Sequence, residues 1–238
     1  INQCYNSSSD WGESNEFCNQ ITRDSDGQIV EVMQRLYNLG ELSTRGYDIA
    51  LAYQYDLGEL GSLKFKADMT HVIEYTKTYL GNDGEETLNY KGELESGIFD
   101  DSISASLSWS HDNWRISWST KYKSDIVDSH ERVEEYEDLL AANDENCAAT
   151  LDTCVANPET PNYLYYGSYI KHNFSASYTT EWQDSEVRLF AGVNNVFDDK
   201  GPFVPRGGAV GETGIGNYGS SYGGGVGRFI YLGSEIKF

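Results

Sequence analysis

The sequence predicts an all-β fold, an antiparallel transmembrane β-barrel of which about seven strands lie in this chain. Three observations predict it. Apolar and polar residues alternate with period two over seven segments, the pattern of a strand with two unlike faces. The connections between those segments run short, long, short, long, short, long. The last strand ends on an aromatic, Phe238, where soluble domains usually end in frayed polar residues.

The elements follow in order. Tyr47, Ile49, Leu51, Tyr53 and Tyr55 alternate with Gly46, Asp48, Ala50, Ala52 and Gln54. A short turn over 56–61 leads to Leu63, Phe65, Ala67 and Met69, interleaved with Lys64, Lys66, Asp68 and Thr70. The third segment sets Ile103, Ala105, Leu107 and Trp109 among serines at 102, 104, 106, 108 and 110. After His111-Asp112-Asn113 come Trp114, Ile116, Trp118, Thr120 and Tyr122, against Arg115, Ser117, Ser119, Lys121 and Lys123. Ile170, Phe174, Ala176, Tyr178 and Trp182 mark the fifth strand. A turn at Gln183-Asp184-Ser185 opens the sixth, with Val187, Leu189, Ala191 and Val193 on its apolar face. In the last strand Ile230, Leu232, Ile236 and Phe238 share a face on which Ser234 is the polar exception.

Long connections are expected near 81–100, 125–167 and 198–226, with a further long loop near 1–28. Tight turns at one end and long loops at the other are the habit of outer-membrane barrels. Trp109, Trp114 and Trp182 lie beside the short turns, where an interfacial aromatic girdle belongs. A transmembrane strand needs only about 9–11 residues, so the absence of a long apolar run does not exclude a membrane. The longest wholly apolar run is Ile49–Tyr53, too short for a spanning helix. Seven strands cannot close a barrel in lipid, because bacterial single-chain barrels have even strand counts and tolerate no open edge. The chain therefore reads as the C-terminal part of something larger. Its start at Ile-Asn-Gln-Cys, without an initiator Met or an apolar leader, reads as processed or excised. The last strand runs from a long loop to the chain end, which puts the C-terminus on the periplasmic side.

Composition narrows the function classes. Net charge is −21 and the pI about 4.4, which argues against a nucleic-acid partner. Mean hydropathy is −0.55, yet 13% of residues are aromatic. The cysteines form two local pairs, Cys4 with Cys18 and Cys147 with Cys154. Neither is CxxC and no histidine stands at zinc-like spacing, so disulfides in an oxidising compartment are expected.

Signals for chemistry are weak. His71, His111, His130 and His172 are scattered, and no G-x-S-x-G occurs; neither an enzyme nor a cofactor is expected. Asp24-Ser-Asp-Gly27 resembles a calcium loop, but Glu31 comes too early for the bidentate acid, and an ordinary acidic turn is expected. Residues 131–142 have the pattern of a short amphipathic helix with a solvated acidic face. The segment from Gly201 to Gly225 holds ten glycines with Tyr218 and Tyr222. Glycine supplies reach and tyrosine flat amphipathic contacts, which makes these two tyrosines the ligand-binding candidates. Gly207-Gly208 and Gly223-Gly224-Gly225 lack the strand-to-helix context of a phosphate loop.

Several stretches resemble the C-terminal barrel region of TonB-dependent outer-membrane receptors. NLGELSTRGYD over 38–48 resembles the family's "N-x-G…G-[VI]-[DE]" strand. FAGVNNVFD over 190–198 resembles its "G-x-x-N-[LV]-F-[DN]" penultimate strand, with Pro202 matching the prolines that follow. Gly227 through Phe238 resembles its terminal strand, and the Cys4…Cys18 loop resembles a paired-cysteine loop of one large branch. The resemblance implies a 22-stranded barrel in a Gram-negative outer membrane, with these strands last and the long loops extracellular. It also implies an N-terminal plug, absent from this chain, and uptake energised by the TonB complex. The ligand would be a scarce small nutrient: a siderophore, a cobalamin or an oligosaccharide. Phe238 would belong to the signal read by the assembly machinery. A passive porin and a secreted disulfide-bonded β-sandwich binding module are the competing readings.

Overall fold

A computed structural model describes residues 4–5, 15, 17–34, 40–80, 85–204, 222 and 225–238. The chain forms two units, one of Ile1–Thr44 with Tyr75–Asn89, the other of Arg45–Glu74 with Tyr90–Phe238. In the first, β1 (Ile21–Arg23) and β2 (Ile29–Val32) pair as a hairpin. Two long strands, β3 (Gly40–Asp56) and β4 (Ser62–Leu80), run through both units, and β5 (Glu85–Asn89) pairs with the end of β4. The second unit continues with β6 (Asp101–His111), β7 (Trp114–Lys123) and β8 (Ile126–Val127). Helix α1 (His130–Ala148) follows, then β9 (Tyr165–Tyr166), β10 (Tyr169–Trp182), β11 (Ser185–Asn194) and β12 (Phe229–Lys237).

The large antiparallel sheet has the order β12-β11-β10-β7-β6-β4-β3, with β5 attached to β4. All seven expected wall strands are therefore neighbours in chain order, joined as a meander. Among the described residues no pairing closes β12 onto β3.

Register explains the alternation. Directly opposed residues of antiparallel strands share a face, and apolar residues oppose apolar ones along whole rows. One row reads Phe65, Leu107, Trp118, Phe174, Val193, Ile230; the next reads Leu63, Trp109, Ile116, Ala176, Ala191, Leu232. A one-residue slip in any strand would break every row at once. The tight turns also set the register. β6 and β7 are joined by Asp112 and Asn113 alone, β10 and β11 by Gln183 and Asp184. Both residues of the second turn have positive φ, the backbone that matches the twist of a two-residue hairpin. Each turn is one residue shorter than the sequence suggests, because the flanking residue already pairs.

Among the described residues the apolar face is half-buried to exposed. Leu107 is 46% exposed, Ile230 70% and Leu232 85%. The buried residues lie instead at the end of the sheet where the long connections meet. Leu94, Phe99, Ile126 and Tyr166 pack there with Tyr169, Val204 and Tyr222. Most of that cluster comes from segments expected only to be loops. Loop 81–100 contains β5, and loop 125–167 contains the β8–β9 pair and a helix longer than the expected 131–142. Periodicity finds none of this, since the buried residues are isolated apolar side chains in polar stretches.

Candidate functional site

The Asn194-Asn195-Val-Phe-Asp198 stretch ends β11 and clasps the connection to β12. Asn195 adopts positive φ and is 1% exposed. Its side chain donates to the carbonyls of Asp199 and Val226 and accepts from the Asp199 N–H; its own N–H donates to Asn173 Oδ1. Asp198 Oδ1 accepts from the Arg228 N–H at 2.6 Å, just before β12 begins. Val196 donates its N–H to the His172 carbonyl on β10. Three strands are thus tied at one end by one short motif.

Around that clasp the long connections fold together. Tyr169 Oη donates to the Asp199 carbonyl at 3.1 Å. Leu94 N–H and Val127 N–H bond across the 90–100 segment and β8. Helix α1 starts with two acceptors on its free amides, Ser129 Oγ for Arg132 N–H and Glu93 Oε1 for His130 N–H. This meets the unpaired donors that every helix N-terminus presents. At its other end the Cys147–Cys154 disulfide and a two-way bond between Asn143 and the Val155 backbone fold the following segment back.

Tyr222 is 3% exposed in this core. Its ring packs edge-on against Phe99 with centroids 4.9 Å apart, and its hydroxyl donates to the Tyr166 carbonyl. Burial, and then the negative charge of Asp125, hold its phenol well above the ordinary tyrosine range. Of the two expected ligand contacts, Tyr222 lies in this core. Tyr218 lies outside the described residues, as do Gly207, Gly208, Gly223 and Gly224.

The remaining expected features are placed as follows. Cys4 and Cys18 form the second disulfide, and Arg23 reaches Tyr5 beside it. Asp24 Oδ1 accepts from the Asp26 and Gln28 N–H groups, shaping the β1–β2 turn. His71 pairs with Asp101 at 2.8 Å under the Tyr47 ring, and His172 contacts Thr120 and the Trp118 indole. Trp114 opens β7 and stacks at a tilt on Tyr178, while Trp182 closes β10 and is 63% exposed. Phe238 is fully exposed.

The polar face of the sheet, the second of the two unlike faces in the alternation, is assembled by the register. Serines of β6 oppose Lys64, Lys66 and Asp68 of β4 on one side and Ser117, Ser119 and Lys121 of β7 on the other. The period-two pattern contained the signal, since the polar positions of β4, β6 and β7 are mostly serine and lysine.

A family model described as "TonB dependent receptor-like, beta-barrel" matches residues 14–196. The chain belongs to the TonB-dependent receptor β-barrel family. No curated protein gives a significant match. Membership in this receptor family implies transport across the outer membrane, and its members are transporters rather than enzymes. The receptor's two disulfides accord with the oxidising side of that membrane.

Proposed function

We propose that this chain supplies the last seven wall strands of a 22-stranded receptor that imports a scarce small nutrient to the periplasm. A plug fills the lumen in that receptor, and the TonB complex acts on the plug. The observation that carries the reading is the bare apolar face. Among the described residues, rows such as Phe65-Leu107-Trp118-Phe174-Val193-Ile230 have no second layer over them, and Leu232 remains 85% exposed. Contiguous apolar surface on that scale calls for a partner, and hydrocarbon is the partner that suits a barrel wall. A β-sandwich would bury this face against a second sheet.

The apolar face then meets lipid and the serine-rich face the lumen. The tight turns at 112–113 and 183–184 are periplasmic, beside the interfacial tryptophans, and the packed loop end is extracellular. Phe238, the exposed terminal aromatic, serves the assembly machinery as part of its recognition signal. Tyr222 supports the ligand-facing loops from within their core.

The test is uptake by cells carrying the full-length receptor, with and without a functional TonB complex. Outer-membrane location with TonB-dependent nutrient uptake is expected. Uptake indifferent to TonB would point to a passive porin, and a freely soluble, monomeric full-length protein would sink the membrane reading.

A further inference from the structure

The outward face of the wall carries an imidazole at the height where hydrocarbon gives way to headgroups. His172 opposes Thr120 of β7 and shares its face with Phe174, the side that meets lipid in the reading above. Tyr169, three residues before it, belongs to the loop core. Trp182, ten residues after it, closes β10 at the turn end. That interval is about 33 Å along a strand. At the usual tilt it is roughly 25 Å of membrane height, the height of a barrel's apolar band. With Trp182 at the periplasmic interface, His172 stands at the outer-leaflet one.

The ring is held in one tautomer. The Trp118 indole N–H donates to Nδ1 at 3.3 Å, and Thr120 Oγ1 lies 2.8 Å from the same atom. An indole nitrogen can only donate, so Nδ1 accepts and the ring proton sits on Nε2. Among the described residues Nε2 has no hydrogen-bond partner, and it remains accessible. A plug lies on the other side of the wall, and β7 and β11 flank β10, so neither a plug nor a further strand covers this donor. Beside hydrocarbon, an N–H without an acceptor is costly. Phe197 meets the imidazole edge-on at 5.2 Å and Trp118 at 6.3 Å, yet is 65% exposed. With Phe174 these rings make a flat apolar seat beside the donor. The 195–198 clasp also brings a cation to the same rim. Val196 N–H donates to the His172 carbonyl, and Asp198 Oδ1 accepts from the N–H of Arg228, which is exposed and has the parity of Ile230 and Leu232. The neighbouring carboxylates are turned to amides, Asp198 to Arg228 and Asp199 to the Gly201 N–H.

Resting on the receptor reading above, we propose that this rim binds one outer-leaflet lipid through its phosphate. His172 Nε2–H and the Arg228 guanidinium hold the phosphate oxygens, and an acyl chain lies on Trp118, Phe174 and Phe197. Hydrogen bonds to an ionised phosphate are stronger than neutral ones, and a guanidinium fork fits phosphate geometry. Thr120 is a positioning residue, because its contact with Nδ1 helps to keep the donor on Nε2.

The test uses the full-length receptor in dodecyl maltoside micelles doped with lipids brominated on their acyl chains. Bromine quenches tryptophan fluorescence on contact. Brominated phosphatidic acid is compared with the matching diacylglycerol, which lacks only the phosphate. Phosphatidic acid should reach half-quenching at a concentration about tenfold lower than diacylglycerol. That preference should vanish in His172→Phe and shrink in Arg228→Gln. A heat-modifiable band on gels checks that each variant barrel is folded. The near-isosteric Thr120→Val, which should also shrink the preference, gives the same reading if His172→Phe does not fold. Equal half-quenching by the two lipids in the native receptor overturns the proposal and leaves the lipid-facing wall standing. A preference that persists undiminished in the folded variants also overturns it. Quenching by neither lipid removes the lipid-facing assignment, and with it the receptor reading on which the proposal rests.

Discussion

Asn195 shows why a short motif can define a strand end. One side chain meets two carbonyls and an amide from both sides of the β11–β12 connection while its backbone takes a conformation that asparagine tolerates better than most residues. Replacing it with alanine leaves those buried groups unpaired, at about 1–3 kcal/mol. In Asn195→Ala, the chemical-denaturation midpoint of the refolded full-length receptor should drop, and proteolysis should begin between 199 and 228. Glycine acts by absence on the neighbouring rows. A Cβ at Gly192 would lie 2.4 Å from the Tyr231 ring, and one at Gly233 2.5 Å from Phe190. The aromatic of each strand thus covers the glycine of the other, and Gly192→Val should force both rings away and loosen the terminal hairpin. The two faces can be told apart at adjacent positions. Leu107→Arg sets a charge toward hydrocarbon at roughly 2–4 kcal/mol near the midplane, whereas Ser106→Arg points the other way. The first should block insertion of the full receptor and the second should be milder; equal damage, read as the heat-modifiable band on gels, would contradict the assignment of faces.

At the scale of elements, the wall and the loops are built on different physics. The strands bury little and are held by register and by the backbone ladder. The loop end is a small aqueous core, with Tyr222 at its centre. Its phenol is held neutral by burial and by Asp125, so its pKa in the folded state lies above its unfolded value near 10. By linkage, that contribution to stability is complete below about pH 10 and is lost as pH rises through the folded-state value. Loop proteolysis should therefore accelerate above about pH 10, and Tyr222→Phe should remove that pH step while loosening the core modestly at neutral pH. Helix α1 is a separate case. The Cys147–Cys154 bridge closes a short loop, and short loops constrain the unfolded chain least. Cys147→Ser with Cys154→Ser should expose 149–155 to protease yet leave the thermal midpoint of the barrel unchanged. These elements also mark how far sequence reading reaches. All seven wall strands were legible, because alternation over seven or more residues is long enough to be unambiguous. Strand ends were less so: β4 continues to Leu80 and β3 begins at Gly40, beyond the clean alternation, since backbone pairing continues where side chains no longer sort by face. The β5, β8 and β9 strands were not legible, being short and recruited by neighbours distant in sequence.

For the whole molecule, the family, the two disulfides and the meander order were available from residues alone. Alternation, turn spacing and local cysteine pairs are short-range properties, and each strand's neighbour in space is its neighbour in the chain. Which loops pack together was not available. Leu94, Ile126, Tyr166 and Tyr222 are far apart in sequence, and no local pattern announces that four isolated apolar side chains will meet. That contact buries Tyr222 in the loop core. The polar face of the sheet depends on the same distinction. Each strand showed its own polar positions, but only the register set Lys121 of β7 against Lys171 of β10. Periodicity determined which face each residue takes, because a strand's side chains alternate whatever its neighbours are. Tertiary pairing alone decided which charges meet, because that depends on the alignment of strands that local sequence does not encode.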